Sequence, residues 1–183
     1  MQKGAEKSLV LITGGCRSGK SDVAQQMAEQ IPGDRLFIAT CPCLDSEMAE
    51  RIRQHQEARQ GRGWQSREEE MDPSQVIASA APGTTIVLDC LTLWISNLMH
   101  AAGQAGSRLT EADIVPLGEQ LARTALQHQG AVIMVSGEVG LGIVPENQEA
   151  RLYRDLVGRC NRVMAAHADQ VFFVSCGLPL QLK

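Results

Sequence analysis

The chain has 183 residues and a mass of 19.8 kDa, which fits one α/β domain and leaves little room for a second core. Hydrophobic residues make up 44% and charged residues 21%, so wholesale disorder, collagen and low-complexity sequence are excluded. The formal net charge is −4 and only 3% of residues are aromatic, whereas nucleic-acid binding usually needs a basic surface and stacking side chains. We therefore predict a single domain over residues 1–183 that has no nucleic acid as partner.

Apolar runs and helical stretches alternate along the chain. Five short runs are apolar on both faces, which is typical of strands in a sheet covered on both sides, at residues 9–13, 36–40, 85–90, 131–136 and 171–175. Helical stretches lie at residues 20–30, 46–59, 91–102, 111–129 and 146–168. The alternation predicts a mostly parallel sheet with right-handed crossovers, and Pro116 predicts that the fourth helix begins or bends there.

Directly after the first predicted strand, residues 14–21 read GGCRSGKS, a full match to the P-loop pattern GxxxxGKS. Glycines let the backbone turn its N–H groups toward phosphate oxygens, and the helix that follows adds the positive end of its dipole. Lys20 can reach the β- and γ-phosphates, and the Ser21 hydroxyl can ligate Mg²⁺. The match predicts an α/β, P-loop NTPase-like three-layer fold that binds nucleotide phosphates through Gly14, Gly15, Cys16, Arg17, Ser18, Gly19, Lys20 and Ser21.

Two carboxylates follow other predicted strands. Because ligands of open α/β sheets bind at the carboxyl ends of the strands, Asp89, in the run TIVLDC, suits a direct or water-mediated contact with Mg²⁺. The alternative is that Asp89 caps the helix that begins at Leu91. Glu138 follows the run AVIMVSG at an equivalent strand end, and capping or loop structure explains it almost as well.

His55 is the one histidine with a distinctive position. Met48, Ile52 and His55 follow one another at steps of four and three in the second helical stretch, so His55 shares its apolar face, and Arg59 extends the same stripe. A histidine that is sheltered beside a cation titrates near neutral pH, where the neutral ring is a competent nucleophile. The alternative is a packed, hydrogen-bonded histidine without a chemical role.

The cysteines and the hydropathy of the chain favour a reduced environment. The closest cysteine pair, Cys41 and Cys43, has one intervening residue, where zinc sites commonly have two to four. The N-terminus is polar and the apolar runs are short, so we expect neither a secretory leader nor a membrane span. We therefore expect a cytoplasmic protein in which the six cysteines mostly pack: Cys16, Cys41, Cys43, Cys90, Cys160 and Cys176.

Nearly the whole chain resembles the bifunctional adenosylcobinamide kinase/adenosylcobinamide-phosphate guanylyltransferases of cobalamin biosynthesis. The resemblance runs through TGGCRSGKS, IATC, EMAERIRQHQEARQGRGWQSRE, EVGLGIVPEN and RDLVGRCNRVMAAHAD. It implies that ATP or GTP phosphorylates adenosylcobinamide and that GMP from GTP is then attached to adenosylcobinamide phosphate, giving adenosylcobinamide-GDP and pyrophosphate. It also implies a GMP-histidine intermediate at His55 and a homo-oligomer, typically a trimer.

Residue by residue, the resemblance implies a larger nucleotide site than the P-loop alone. It adds Ala39, Thr40 and Cys41 after the second strand, Gln56, Glu57, Ala58 and Arg59 beside the histidine, and Glu68 and Asp89. Local explanations exist for two of them, since Arg59 fits a solvated helix end and Glu68 belongs to a charged run. The chain departs from the common family pattern at Gln56, Asp89 and Gly137.

Two other functions fit the residues without the resemblance. One is a P-loop kinase for another small metabolite, in which His55 is structural. The other is a GTP-dependent switch module, which would bind or hydrolyse GTP without using a corrinoid. Binding of adenosylcobinamide distinguishes both from the bifunctional enzyme.

Overall fold

The computed structural model describes residues 7–42, 53, 57, 59 and 61–183. Three of the predicted site residues, His55, Gln56 and Ala58, and the cysteine at position 43 lie outside the described residues. Within the described part the order of elements is β1 (Ser8–Gly14), α1 (Lys20–Glu29), β2 (Arg35–Ala39), β3 (Trp64–Glu68), α2 (Pro73–Ser79), β4 (Thr85–Asp89), α3 (Leu91–Gln104), α4 (Glu111–Gln127), β5 (Ala131–Gly137), α5 (Gln148–His167), β6 (Gln170–Ser175) and β7 (Leu178–Gln181). Arg53, Glu57 and Arg59 are also helical.

The described strands form one sheet in the order β3-β2-β4-β5-β1-β6-β7. Every neighbouring pair is parallel except β6 and β7, which form an antiparallel hairpin. Each of the five predicted strands is present and begins and ends within one residue of its expected bounds. The prediction of an α/β fold with a mostly parallel sheet is therefore confirmed.

Helices cover both faces of the sheet, which confirms the three layers. One face packs against α1 through residues such as Val23 and Ala24, which meet Ile12 and Val87 of the strands. The other face carries the larger core, to which α2, α3, α4 and α5 contribute. The central strands are buried on both sides, and burial of this apolar surface is the main force that holds the layers together.

Two strands and one helix were not predicted from sequence. The edge strand β3 is almost entirely polar and exposed, and β7 is an exposed edge strand as well, so neither has the continuous apolar run of a buried strand. Each is held by backbone pairing to a neighbour, β3 to β2 and β7 to β6. The short helix α2 begins with Pro73 at its first position. The N–H group that proline lacks would have no hydrogen-bond partner within the helix there, so its absence costs nothing.

The fourth helix begins at Glu111, as the predicted stretch does, and of the two alternatives for Pro116 a helix start there is wrong. The Asp113 carboxylate accepts hydrogen bonds from the backbone N–H and the hydroxyl of Thr110 and starts the helix before the proline. The expectation for the cysteines also needs correction. Only two of the five cysteines in the described part, Cys90 and Cys160, are buried, so most of them do not pack in the core. None of the helices that the structure describes combines the length and the apolar character needed to cross a bilayer.

Candidate functional site

The sheet brings most of the predicted site residues to one edge. The strands β1 to β6 run in the same direction, so Gly14, Ala39, Glu68 and Asp89 all lie where a strand ends. Parallel registers align Ala39 with both Glu68 and Asp89, and Gly14 with Gly137 on β5. The carboxyl edge is where open α/β sheets bind ligands, and the sequence prediction placed the site there.

The P-loop bridges the end of β1 and the start of α1. Lys20 bends back and donates from Nζ to the carbonyl oxygen of Gly15 at 3.1 Å, so the ammonium lies over the loop rather than in solvent. Ser18 is buried, and Gly19, with φ +90°, is the residue before the first helical position. Cys16 and Arg17 at the tip of the loop are exposed. This arrangement leaves the loop backbone and the Lys20 ammonium to receive a phosphate group.

The turn between β6 and β7 braces the P-loop from the side. Gly177 donates its backbone N–H to the carbonyl oxygen of Ser18 at 2.8 Å, and a Cβ placed on Gly19 would lie 3.1 Å from the Gly177 Cα. The two turn residues, Cys176 and Gly177, have φ of +52° and +79°, which are the left-handed values that a two-residue type I′ hairpin turn requires. The C-terminal hairpin is therefore part of the phosphate loop's support.

We expect Gly177→Ala to weaken GTP binding. Alanine in the left-handed region costs about 1–2 kcal/mol, and relaxing that strain shifts the N–H away from Ser18. Gly83→Ala is a matched control. Gly83 also has a left-handed φ, +84°, and open space for an added Cβ, and its backbone N–H donates to the Gln129 carbonyl oxygen. It lies before β4, at the amino edge of the sheet and away from the P-loop. Equilibrium binding should show a Kd raised about three- to tenfold for Gly177→Ala alone. Equal Kd values for the two variants would contradict the bracing role.

Thr40 fixes the junction between β2 and the residues after β4. Its side chain is fully buried, and its hydroxyl donates to the carbonyl oxygen of Cys90 at 2.7 Å and accepts from the Cys90 N–H at 2.8 Å. Asn97 of α3 donates to the Thr40 carbonyl oxygen at 2.8 Å. Burial raises the pKa of the Cys90 thiol to about 11, with the nearby Asp89 carboxylate adding to the increase and Lys20 opposing it. The Cys90 side chain is thus neutral, and Lys20 lies near enough to the Asp89–Cys90 segment to act on it.

The local explanation of Arg59 as a solvated helix end is wrong. Its side chain is only 4% exposed, and its guanidinium lies 3.7 Å from the centroid of the Phe37 ring. Burial lowers the pKa of Arg59, and the charge of Asp89 acts in the opposite direction. The Nε and Nη1 atoms are buried and make no hydrogen bond within the part of the chain that the structure describes. A buried cation with unused donors is a ready partner for an anion.

The predicted nucleotide contacts lie at two separated parts of the edge. Because β4 and β5 stand between β2 and β1, the ends of β2 and β1 are about 14 Å apart at the ordinary strand spacing. Ala39 and Cys41 are half-buried at the end of β2, and Glu68 is exposed at the end of β3. One phosphate group cannot contact both parts, so a ligand that uses all the predicted residues extends across the ends of β4 and β5.

The residues expected at the metal fit Mg²⁺ in their chemistry. Ser21, in the first turn of α1, and Asp89, at the end of β4, offer hydroxyl and carboxylate oxygens, which are hard ligands. In the described ranges no group of three or more histidine, cysteine, aspartate or glutamate side chains could hold a metal. Mg²⁺ is usually bound by one or two protein oxygens together with substrate phosphates and water, and Ser21 and Asp89 are the two protein oxygens predicted here.

Two supports of the site were missed by sequence reasoning. Gly177 is 159 positions from Ser18 along the chain, so only the fold reveals their contact. Asn161 of α5 donates to the Gly137 carbonyl oxygen at 3.0 Å and accepts from the Ser136 hydroxyl at 2.6 Å, which holds the end of β5. The Cys-Gly pair between two apolar runs was a signal for the hairpin turn. Nothing in the local sequence indicated the role of Asn161.

A solved structure has the same fold. The flagellar accessory protein FlaH from Methanocaldococcus jannaschii superposes with a TM-score of 0.51. The match covers 92% of this chain and 71% of that chain at 14% sequence identity. At this identity the likeness shows the fold alone.

Curated relatives are similar over nearly the full length. The chain is 38% identical over 188 residues to the bifunctional adenosylcobalamin biosynthesis protein CobU of Salmonella typhimurium, covering 96% of this chain and 99% of the relative. It is 37% identical over 177 residues to the bifunctional adenosylcobalamin biosynthesis protein CobP of Pseudomonas aeruginosa, covering 94% of this chain and 96% of the relative. The model of the CobU family, described as cobinamide kinase / cobinamide phosphate guanyltransferase, matches residues 10–182. The chain belongs to the cobinamide kinase / cobinamide phosphate guanyltransferase family.

Proposed function

We propose that the chain phosphorylates adenosylcobinamide with ATP or GTP and then transfers GMP from GTP to adenosylcobinamide phosphate through a GMP-histidine at His55. Membership of the family makes it a bifunctional enzyme of adenosylcobalamin biosynthesis, a kinase and a guanylyltransferase. The observation that carries the finer proposal is the P-loop, with Lys20 bent over its backbone at the carboxyl edge of the sheet. One such site serves both reactions, because each begins with the phosphates of a nucleoside triphosphate.

In the kinase reaction the acceptor hydroxyl oxygen attacks the γ-phosphorus. The bond from the γ-phosphorus to the bridging oxygen breaks, and the nucleoside diphosphate leaves with the electron pair. The P-loop backbone and Lys20 stabilise the negative charge that develops on the phosphates. Ser21 and Asp89 would hold Mg²⁺, which would supply further neutralisation of the phosphate charge.

In the guanylyltransferase reaction the neutral imidazole of His55 attacks the α-phosphorus of GTP, and pyrophosphate leaves with the electron pair. A phosphate oxygen of adenosylcobinamide phosphate then attacks the same phosphorus and breaks the P–N bond, which restores the histidine. The covalent step divides one transfer between two bulky anions into two displacements. Arg59, a buried cation with unused donors near Asp89, suits a contact with an anionic group of a ligand that extends along the edge to β2. The positions at Ala39, Thr40, Cys41, Gln56, Glu57, Ala58 and Glu68 complete the proposed nucleotide site.

The test is identification of the corrinoid products by liquid chromatography and mass spectrometry. With adenosylcobinamide, ATP and Mg²⁺ the wild-type protein should form adenosylcobinamide phosphate, and addition of GTP should convert it to adenosylcobinamide-GDP with release of pyrophosphate. A product that stops at the phosphate when GTP is present would indicate a kinase alone. Hydrolysis of GTP without any corrinoid product would indicate a switch module.

We also infer that the enzyme is a cytoplasmic homotrimer. Adenine and guanine nucleotides are cytoplasmic substrates, and Cys16, Cys90, Cys160 and Cys176 are free thiols. The hairpin strand β7 and the residue after it expose Leu178, Leu180 and Leu182, an apolar edge that suits burial between copies of the chain. Sedimentation equilibrium measures the oligomeric state directly.

A further inference from the structure

Glu138 stands beside the P-loop but has no place in the nucleotide contacts described above. It is the first residue after β5, and its backbone N–H donates to the carbonyl oxygen of Gly14, the first residue of the loop, at 2.9 Å. Strands β5 and β1 are neighbours, whereas Asp89 stands one strand further away on β4. Of the two carboxylates at these strand ends, Glu138 is therefore tied directly to the loop.

A hydrogen bond holds the Glu138 carboxylate in place, and the side chain is partly exposed to solvent. Oε1 accepts a hydrogen bond from the backbone N–H of Gly140 at 2.5 Å, and the side chain is half-buried. Across the described ranges, none of the ion pairs involves Glu138. Its second oxygen thus remains available to accept a proton from a ligand.

The loop that follows Glu138 is apolar and exposed. Residues 139–144 include four large apolar side chains, of which Leu141 is 81% and Ile143 97% exposed, and Val139 and Val144 are exposed as well. Exposed apolar surface of this density in a globular protein commonly marks a site of interaction. The base of the loop is firm by contrast, because Asn161 binds the Gly137 carbonyl oxygen and a Cβ on Gly137 would meet Thr92 at 2.8 Å.

We propose that this loop is the acceptor side of the kinase site: Leu141 and Ile143 contact the apolar periphery of the corrinoid, and Glu138 accepts the proton of its hydroxyl. The inference rests on the proposed kinase function. The acceptor must reach the γ-phosphate at the P-loop, so the surface that binds it must adjoin that loop, and the hydrogen bond from Glu138 to Gly14 provides the adjacency. The hydroxyl oxygen bonds to the γ-phosphorus, its proton passes to the Glu138 carboxylate, and the nucleoside diphosphate leaves with the electron pair of the broken bond.

Glu138→Gln tests the proton acceptor. We expect kcat for phosphorylation of adenosylcobinamide by ATP to fall at least about a hundredfold, while the KM values of both substrates change less than about twofold. Glu138→Asp should restore part of kcat, because it keeps a carboxylate with a shorter reach. Glu119→Gln removes the same charge from an exposed position of α4, outside this loop, and should leave kcat unchanged.

Leu141→Ser and Ile143→Ser test the acceptor surface. Each should raise the KM and the Kd for adenosylcobinamide about tenfold, the loss expected when one large apolar side chain no longer buries its surface, and should leave GTP binding unchanged. Met71→Ser, which alters an exposed apolar side chain after β3 at the far end of the sheet, is the matched control.

The results separate this inference from the function on which it depends. If the wild-type protein does not phosphorylate adenosylcobinamide, the proposed kinase function fails and the inference fails with it. If the wild type is active and Glu138→Gln retains its kcat, or the loop variants keep the wild-type KM for the corrinoid, the inference alone is wrong. Thermal unfolding and GTP binding of each variant establish that its fold and P-loop are intact.

Discussion

Replacing Lys20 with alanine should abolish both activities while the protein remains folded. The Nζ atom of Lys20 lies over the P-loop at 3.1 Å from the Gly15 carbonyl oxygen, so its charge lies where we expect the nucleotide phosphates to bind. Loss of that charge removes stabilisation from the transition states of both phosphoryl and nucleotidyl transfer. We expect kcat/KM for each reaction to fall at least about a thousandfold, in the range observed when a single preorganised charge is removed from such a site.

The matched control is Lys7→Ala, which removes an exposed lysine immediately before β1. Separate assays of adenosylcobinamide phosphate formation and of pyrophosphate release from GTP distinguish the two reactions. Because Lys20 makes one hydrogen bond to the backbone and is half-buried, its loss should change the midpoint of thermal unfolding only slightly. Loss of one activity with retention of the other would mean that the two reactions do not share this phosphate site.

The buried strands were predictable because each is a continuous apolar run. Because β4 and β5 are buried on both faces, their residues are mostly apolar instead of alternating between apolar and polar. The bounds of these strands therefore coincide closely with the apolar runs in the sequence. At the edges of the sheet this signal disappears. Strand β3 buries no residue fully, and Trp64 is its one large apolar side chain, half-buried against Phe37 with the ring centroids 6.1 Å apart. Backbone pairing to β2 makes this segment a strand, and that pairing cannot be predicted from the side chains of β3 alone.

The position of the P-loop between β1 and α1 was predictable because its pattern is local in sequence. Its role in binding phosphate remains a prediction. The support of the loop is not local, since Gly177 and Glu138 reach Ser18 and Gly14 only through the order of the strands. Thr40 shows a third case, because the resemblance identified the position but not the buried hydrogen bonds by which its hydroxyl holds Cys90.

The distance between the P-loop and Arg59 along the edge of the sheet is relevant to how this small protein carries out two reactions. The P-loop follows β1, whereas Arg59 packs on Phe37 of β2, three places away in the sheet. A nucleotide whose β- and γ-phosphates occupy the P-loop must extend across β5 and β4 before it can contact Arg59. The two reactions thus require different phosphorus atoms of the nucleotide to be presented to different acceptors, and this edge is long enough to allow it.

The described neighbours of His55 agree with the stripe assigned from sequence. Arg59, which the spacing places on the same stripe, is buried, whereas Glu57, which falls elsewhere, is exposed and forms an ion pair with Arg53 at 2.5 Å. The position of His55 on this stripe remains a prediction, and replacing His55 tests the nucleotidyl step directly.

We expect His55→Ala to eliminate guanylyltransferase activity and to spare the kinase. Without the imidazole no P–N bond forms, so incubation with GTP and Mg²⁺ should leave no GMP on the variant, whereas intact-protein mass spectrometry of the wild type should show one GMP added per chain. Loss of a covalent nucleophile lowers the rate of adenosylcobinamide-GDP formation at least about a thousandfold. The kinase reaction proceeds by direct attack on the γ-phosphorus, so its kcat should stay within about twofold of the wild type.

The chemical stability of the label identifies the bond independently of the variant. A phosphoramidate on histidine is labile in acid and stable in base, which distinguishes it from a phosphate ester on serine. His100→Ala is the matched control, because His100 is an exposed histidine in α3, and its labelling should equal that of the wild type. If His55→Ala retains the label, another residue is the nucleophile. If it loses kinase activity as well, His55 acts in both reactions, and the division of roles between His55 and Lys20 is wrong.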